Sequence, residues 1–218
     1  MRTQLLNDIR TELTRLTASS NVYATRTAVD KIYEVYILSC VIKSLHILGC
    51  TLEARDSNDR PTTNFDFRLS PGYIYSPTAN SSFIHITYNN NEYELHNGVR
   101  VLGRADVLHE LDVAIITRDE AVRCRQNNFQ PSQSKIKFLA ECKFYGAGLP
   151  LHLGREFLGL CSEFSVRVKS LTSNVGSDNI HKLLISHRQT ENFNIEPSNP
   201  DNVDMFIKWI SNELRQVL

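Results

Sequence analysis

Three residues that could do chemistry interrupt two apolar runs of the sequence. Asp112 opens the run VAII, and Glu141 and Lys143 follow the run IKFLA. Apolar runs of this length are typical of strands that are buried on both faces of a sheet. Because side chains alternate along a strand, Glu141 and Lys143 point to the same face and Cys142 points to the other. If the Asp112 strand lies beside this one, two carboxylates and one ammonium group meet at a shared point.

The acidic pair Asp112 and Glu141 indicates a metal site, because two neighbouring carboxylates repel each other unless a divalent cation lies between them. Magnesium is the natural candidate, since it prefers oxygen ligands and is usually bound by one or two carboxylates and a substrate phosphate. Manganese is expected to substitute for it. The backbone carbonyl of Cys142 could supply a further oxygen, and Lys143 would orient the attacking water and stabilise the extra charge on a phosphate.

A fourth candidate, Glu34, lies on a predicted helix. It comes four residues before Leu38, on an apolar stripe that is expected to face the core. A buried carboxylate needs a partner, because an uncompensated buried charge is strongly destabilising. On this interpretation Glu34 completes the metal site, directly or through water. The alternative is a glutamate in the first turn of the helix that stays in water and is favoured by the helix dipole.

The elements that must position these residues follow from hydrophobic periodicity. Helices are predicted over residues 3–16 and 26–48, and Gly49 ends the second. Strands are predicted for TLEARD and NFDFRLS, and FIHITY and NEYELH form a hairpin around the asparagines at 89–91. The runs HELDVAIIT and KIKFLAECKFY are the two central strands, and they carry the candidate acids.

The second half of the chain supplies the remaining elements. Residues 118–135 are predicted to be a loop, because this stretch is polar and contains a proline. A helix is predicted for 151–168, a short buried strand for 181–188 and a closing amphipathic helix for 201–218. The chain is thus expected to alternate between helices and strands, as in proteins with a covered central sheet.

This arrangement resembles the PD-(D/E)xK nuclease superfamily. The resemblance is carried by Asp112 in one strand, ECK at 141–143 in the next and the earlier helical Glu34, and ECKFY followed by GREFLGL is similar to the Mrr-like branch of restriction endonucleases. It implies an α/β (α+β) fold with a restriction-endonuclease-like core, in which helices flank both faces of a central mixed β-sheet. It also implies magnesium-dependent phosphodiester hydrolysis, with Asp112 and Glu141 as metal ligands and Lys143 as the catalytic lysine.

The resemblance covers about residues 26–190 and departs from the family pattern at two points. Leu111 stands where the motif name expects proline, and the insertion between Asp112 and Glu141 is longer than a tight hairpin. The insertion leaves Asp106, in GRAD, as an alternative first acid. The motif spans only two strands, so its specificity is limited.

The chain is expected to be a single nuclease-like domain over residues 1–218. Within it we distinguish an N-terminal helical extension at 1–25, the core at 26–190 and a C-terminal helix at 191–218. A chain of 218 residues with a hydrophobic fraction of 41% can bury one substantial core.

The composition limits the classes of partner and the location of the protein. Lysine plus arginine equals aspartate plus glutamate at 24 each, so the chain has no overall basic field, and a polyanion would need a local basic surface or metal ions. The five cysteines are odd in number and lack a CxxC spacing, which predicts reduced thiols and a cytoplasmic protein. The most apolar stretch, residues 35–50, is shorter than the roughly 20 residues of a membrane span, so no membrane contact is expected.

Five residues are candidates for contacts with nucleic acid. Arg155 follows His152 near the start of a predicted helix, where free backbone N–H groups could bind a phosphate. Arg118, Arg123 and Arg125 lie in the predicted loop. The alternative for Arg155 is an ordinary solvated helix face.

The expected activity is hydrolysis of nucleic-acid phosphodiesters, with DNA favoured over RNA by resemblance alone and a role in defence against foreign DNA. The short chain leaves no room for a separate target-recognition domain. Selectivity is therefore expected from a homodimer, from a partner protein, or from the hairpin and the loop at 118–135. Two other interpretations stay open: an inactive nuclease fold that binds or scaffolds, which the neutral charge favours, and a nuclease that acts on structured RNA.

Overall fold

A seven-stranded mixed sheet forms the centre of the protein. The computed structural model describes residues 2–13, 19–20, 29–76 and 81–218. Within these ranges the elements are α1 (Arg2–Leu13), β1 (Ser19–Ser20), α2 (Val29–Leu48), β2 (Thr51–Arg55), β3 (Asn64–Phe65), β4 (Phe83–Tyr88), β5 (Asn91–Leu102), β6 (Leu108–Thr117), α3 (Arg118–Asn127), β7 (Ile136–Lys143), α4 (Leu151–Glu163), β8 (Val168–Ser173), α5 (Asp178–Ser186), β9 (Glu191–Asn192) and α6 (Pro200–Leu214).

The strand order in this sheet is β2-β4-β5-β6-β7-β8-β9. Neighbouring strands are antiparallel from β2 to β7, whereas β7, β8 and β9 are parallel. The short strands β1 and β3 form a separate parallel pair. The predicted central position of the two acid-bearing strands, β6 and β7, is confirmed.

Two hydrophobic cores lie on opposite faces of this sheet. Val113 and Ile115 of β6 belong to the core that α1, α2 and α6 cover, while Ala114 and Ile116 belong to the core of α3, α4 and α5. Strand side chains alternate, so a strand that is apolar throughout supplies both cores. The α/β class, with helices on both faces of a mixed sheet, is therefore confirmed.

Helix α2 is apolar around most of its circumference, which suits a helix that is buried on nearly every side. The hydroxyl of Tyr33 donates to the carbonyl of Ile195 at 2.9 Å and ties α2 to the segment before α6. Gly49 ends the helix with a φ of 89°, a left-handed conformation that favours glycine. The predicted end at Leu48 is confirmed; the predicted start at 26 and the last residues of the first predicted helix, 14–16, lie outside the described residues.

The hairpin between β4 and β5 is confirmed. Tyr88 pairs with Asn91, and the two turn residues, Asn89 and Asn90, have φ angles of 49° and 64°. Asparagine tolerates this left-handed backbone, and two successive left-handed residues match the twist of the paired strands.

The loop predicted over residues 118–135 is wrong, because its first ten residues form α3. Ala121 and Cys124 are buried at helical spacing against the sheet, and Asp119 and Glu120 lie in the first turn, where acidic side chains are favoured. Asn128 ends the helix with a φ of 56°. The polar composition of this segment thus belongs to the exposed face of a helix.

The strand predicted over residues 181–188 is also wrong, since these residues belong to helix α5 and the turn that follows it. Ile180 and Leu184 are buried one turn apart, whereas Ile185 is 56% exposed. The strand beside β7 is instead β8, and the helix predicted over residues 151–168 wrongly includes the first residue of this strand. That helix, α4, ends at Glu163, and the last helix spans Pro200–Leu214 rather than 201–218.

Within the described part of the chain, no helix is both long enough and apolar enough to cross a membrane. None of the five cysteines forms a disulfide bond. The division of the chain into an extension, a core and a C-terminal helix stays a prediction.

Candidate functional site

The two central strands separate at Asp112. Their paired residues end with Val113 on β6 and Ala140 on β7. Just beyond this pair, the backbone N–H of Cys142 donates to Oδ2 of Asp112 at 2.8 Å. The carboxylate thus accepts an N–H that a backbone carbonyl would accept in a continuous ladder. This bond fixes the buried Asp112 side chain at the end of the shared ladder.

Glu141 and Lys143 form an ion pair at the end of β7, with 2.6 Å between Nζ and Oε1. The two residues lie two apart on one strand, so they share a face, as the sequence predicted. Burial disfavours the charge on Lys143, but the carboxylates of Glu141 and Asp112 outweigh it and raise the pKa of this lysine. Lys143 is therefore a cation throughout the physiological pH range.

Glu34 is buried on α2, with 6% of its surface exposed. Nζ of Lys31 lies 2.8 Å and 3.1 Å from its two carboxylate oxygens. The same ammonium group lies 3.7 Å from Oε1 of Glu110, a buried oxygen without a hydrogen-bond partner among the described residues. Glu34 therefore has the partner that a buried carboxylate needs, and the alternative of a solvated first-turn glutamate is wrong.

Three carboxylates share one electrostatic environment at this point. Burial raises the pKa of Asp112 well above its ordinary value, and the negative charges of Glu141 and Glu34 raise it further, against the opposing hydrogen bond from Cys142. Burial also raises the pKa of Glu34, while Lys31 opposes this shift. A cation among these groups would relieve their mutual repulsion.

A cavity of about 550 Å³ opens at the place where β6 and β7 separate. Its walls are formed by the first turns of α2, by β6, and by the end of β7 with the segment that follows. The lining residues are Val29, Asp30, Lys31, Glu34, Asp112, Cys142, Lys143, Phe144 and Tyr145. Two acids from α2, one acid from β6 and two lysines thus face a common opening.

Carboxylate oxygens are ligands that magnesium prefers, so the donor chemistry fits this ion. Within the described ranges, however, no three His, Cys, Asp or Glu side chains are arranged to hold a metal. Lys31 and Lys143 neutralise Glu34 and Glu141 instead. For a metal ion to bind, the carboxylates of Glu34 and Glu141 must therefore give up their ion pairs with Lys31 and Lys143 and coordinate the ion instead. The backbone carbonyl of Cys142 as a further ligand stays a prediction.

The alternative first acid, Asp106, lies elsewhere. It occupies an exposed turn between β5 and β6, with a φ of 57° and a hydrogen bond from its N–H to the carbonyl of Gly103. It does not line the cavity. The structure therefore favours Asp112, despite the long segment that separates it from Glu141.

Lys31 and Glu110 are two of the charged residues of the site that were missed from the sequence. Lys31 lies three residues before Glu34, a spacing that brings side chains together on a helix. Glu110 lies two residues before Asp112, a spacing at which strand side chains share a face. Both spacings are visible in the sequence. The two residues were missed because neither interrupts an apolar run, which is the feature that identified the acids and the lysine of the two central strands.

The arginines of the predicted loop have different environments. Arg118 and Arg125 donate to Glu94, which is 0% exposed, and both guanidinium groups lie over the ring of Phe83. Their charges thus compensate a buried carboxylate. Arg123 is about half exposed. His152 and Arg155 are exposed on α4. Contacts of these five residues with nucleic acid stay a prediction.

Stability is expected to depend on pH through Glu94 and His96. Burial opposes the charge on Glu94, but hydrogen bonds from Arg125 and His96 outweigh it and lower its pKa to about 2. Burial lowers the pKa of His96 to about 4. His96 is therefore neutral at pH 7, with Nε2–H donating to Glu94 at 2.9 Å and Nδ1 accepting from Arg68 at 3.4 Å.

The direction of this dependence follows from the two lowered pKa values. As the pH falls, His96 in the unfolded chain takes up a proton near pH 6.5, whereas His96 in the folded chain does so only near pH 4. Glu94 takes up a proton near pH 4.5 in the unfolded chain and only near pH 2 in the folded chain. Each group therefore removes up to about 1.4 kcal/mol of stability per pH unit within its interval. Urea unfolding between pH 7 and pH 4, compared with His96→Gln, isolates the histidine contribution. Identical slopes for the two proteins would contradict it.

Comparison with known proteins adds no assignment. No family model matches the chain, and no curated protein matches it. The fold class rests on the sheet and its helices, and the site rests on its own geometry.

Proposed function

We propose that this protein is a metal-dependent nuclease that hydrolyses phosphodiester bonds, with DNA as the favoured substrate. One observation carries the proposal: buried acids from α2 and β6 and the Glu141–Lys143 pair of β7 lie together where the two central strands separate. The buried Asp112 lies close to the carboxylates of Glu141 and Glu34, and burying neighbouring charges of the same sign is unfavourable for stability. Their concentration at a cavity supports a functional role.

Asp112 and Glu141 are the residues that would hold magnesium, with Glu34 completing the site directly or through water. Manganese would substitute for magnesium. When bound, the ion supplies Lewis-acid stabilisation of phosphate charge and activation of a water molecule. The hydrogen bond from Cys142 holds Asp112 in place before substrate arrives, so little reorganisation of this carboxylate is required.

Lys143 has two roles in this proposal. As a permanent cation it is suited to stabilise the charge that develops on a phosphate and to orient the attacking water, and it is unsuited to take up a proton. Lys31 stands across the cavity on α2 and holds Glu34. The phosphate would therefore lie between one lysine from each wall.

The biological setting belongs to the same proposal. The chain would act on foreign DNA as a defence protein in the cytoplasm, with target recognition supplied by a homodimer or by a partner protein. Isolation of the protein solely with host repair or replication proteins would contradict the defence role.

A cleavage assay tests the activity. Plasmid, single-stranded DNA and RNA are incubated with magnesium, with manganese or with a chelator, and wild type is compared with Asp112→Asn, which keeps an acceptor for the Cys142 N–H. We expect metal-dependent cleavage of DNA by wild type and loss of both cleavage and calorimetric manganese binding in the variant. Asp204→Asn, an exposed aspartate on α6, is the matched control and should behave as wild type. Cleavage that survives Asp112→Asn would overturn the proposal.

A second candidate function is a nuclease fold that binds or scaffolds without activity. It is favoured by the lysines that neutralise Glu34 and Glu141 and by the neutral net charge of the chain. This candidate predicts neither cleavage nor metal binding that depends on Asp112. A nuclease for structured RNA, the third interpretation, predicts cleavage of RNA but not of plasmid.

A further inference from the structure

Two tyrosines stack beside β5. The rings of Tyr73 and Tyr75 lie 5.2 Å apart with 15° between their planes, and both side chains are partly exposed. The backbone before them is fixed to β5, because Gly72 N–H donates to Gly98 and Gly72 O accepts from Arg100, at 2.9 Å and 3.0 Å. The pair is therefore held on the rigid sheet.

An arginine connects this pair to the candidate site. Arg100 donates to the Tyr73 hydroxyl at 3.0 Å, and its guanidinium carbon lies 5.0 Å from the centre of the ring. Across the ladder, Arg100 pairs with Glu110 of β6. Glu110 in turn lies 3.7 Å from Lys31, which lines the cavity. The tyrosine pair and the cavity are thus linked through neighbouring residues of adjacent elements.

A third aromatic ring and a second arginine belong to α3 and the residues that follow it. Gln130 donates to the Tyr75 hydroxyl at 3.1 Å. Phe129, the residue before it, is 50% exposed, and the guanidinium carbon of Arg123 lies 5.6 Å from the centre of its ring. We call Tyr73, Tyr75 and Phe129, with Arg100 and Arg123, the aromatic tract.

We propose that the aromatic tract binds unpaired nucleotides of the strand whose phosphate enters the candidate site. This inference rests on the proposed nuclease function and narrows its substrate to single strands or unpaired ends. Aromatic side chains bind single strands because every base has a face that can stack, and arginine adds cation–π and phosphate contacts. Bases within a duplex keep their faces covered by their neighbours. The tract therefore favours unpaired nucleotides of DNA or RNA over a duplex.

The experiment measures binding without cleavage. Full-length protein in a chelator is titrated into short fluorescein-labelled single-stranded DNA, RNA of the same sequence and the matched DNA duplex, with fluorescence anisotropy as the readout. We expect tighter binding of the single strands than of the duplex. Phe129→Ala and Tyr73→Ala should each weaken single-strand binding on the order of 10-fold, whereas Tyr73→Phe, which keeps the ring, should stay close to wild type.

The control and the outcomes separate this inference from the nuclease proposal. Met205→Ala removes a side chain that is 68% exposed on α6, and this control should leave binding unchanged. Phe129→Ala changes an exposed position, so it tests the aromatic tract even if the Tyr73→Ala variant does not fold. Wild-type binding by Phe129→Ala and any folded Tyr73→Ala, or equal affinity for duplex and single strand, would overturn the inference. If single-strand binding depends on the aromatic tract but no metal-dependent cleavage is found, the proposed binding site is supported and the proposed nuclease activity is contradicted.

Discussion

Replacement of Lys143 by alanine is expected to lower kcat/KM for DNA cleavage by about 10²- to 10³-fold, the effect of removing one preorganised group that stabilises transition-state charge. The variant should still bind manganese, because the lysine is not a ligand and its removal frees Glu141 from the ion pair. Cleavage kinetics and calorimetric titration together measure both effects. Asp112→Asn, in contrast, should lose metal binding as well as cleavage.

Two further variants sharpen this test of Lys143. Lys143→Arg keeps the charge but changes the shape and donor geometry of the head group, so it should restore only part of the rate. Lys208→Ala removes an exposed lysine from α6 and should leave the rate unchanged. An unchanged rate in folded Lys143→Ala would mean that the cleavage arises at another site or from a contaminant.

The second large effect is expected on stability. Glu94→Gln should lower the free energy of unfolding by roughly 3–5 kcal/mol, the cost of removing one member of a buried ion pair. Glu94 accepts hydrogen bonds from Arg118 and Arg125. Burial lowers the pKa of Arg68 to about 10, and the Glu94 carboxylate opposes this shift. Without this charge, Arg118 and Arg125 would share Asp59 and a neutral amide, and Arg68 would lose the favourable charge of the Glu94 carboxylate. Urea unfolding, followed through Trp209 fluorescence, measures this loss.

Glu92 provides the matched control on the same strand. Its side chain is 54% exposed and lies 3.3 Å from His85, so Glu92→Gln should change stability by at most about 0.5 kcal/mol. Equal stabilities for the Glu94 and Glu92 variants would show that the buried network does not stabilise the fold as the geometry indicates.

The structure also changes the meaning of the arginine-rich segment. The sequence predicts a loop over residues 118–135 whose arginines could contact nucleic acid. In the folded chain, Arg118 and Arg125 compensate Glu94, whereas Arg123 is about half exposed beside Phe129. A sequence shows which residues are charged, but the partner of a charge depends on contacts between distant segments.

The wrong secondary-structure predictions in the second half of the chain also arise because contacts between distant segments are not visible in the sequence. The apolar run around Leu184 fits a short strand and a buried helix turn equally well, and only packing against the sheet buries Ile180 and Leu184 while Ile185 stays exposed. Strand β8 was missed because it begins soon after α4 ends and because its sequence, VKSLTS, contains few apolar residues. Short apolar segments contain too little periodicity to separate these cases.

The sequence by itself determined the features that local chemistry dictates. Alternation placed Glu141 and Lys143 on one face of a buried strand, the helical stripe directed Glu34 inward, and the asparagines at 89–91 defined a hairpin. Tertiary structure alone decided that Cys142 donates to Asp112 and that Lys31 bridges Glu34 and Glu110. Only strand register and helix packing bring together side chains that are remote in the chain, so their distances and charges follow from the folded arrangement rather than from spacing.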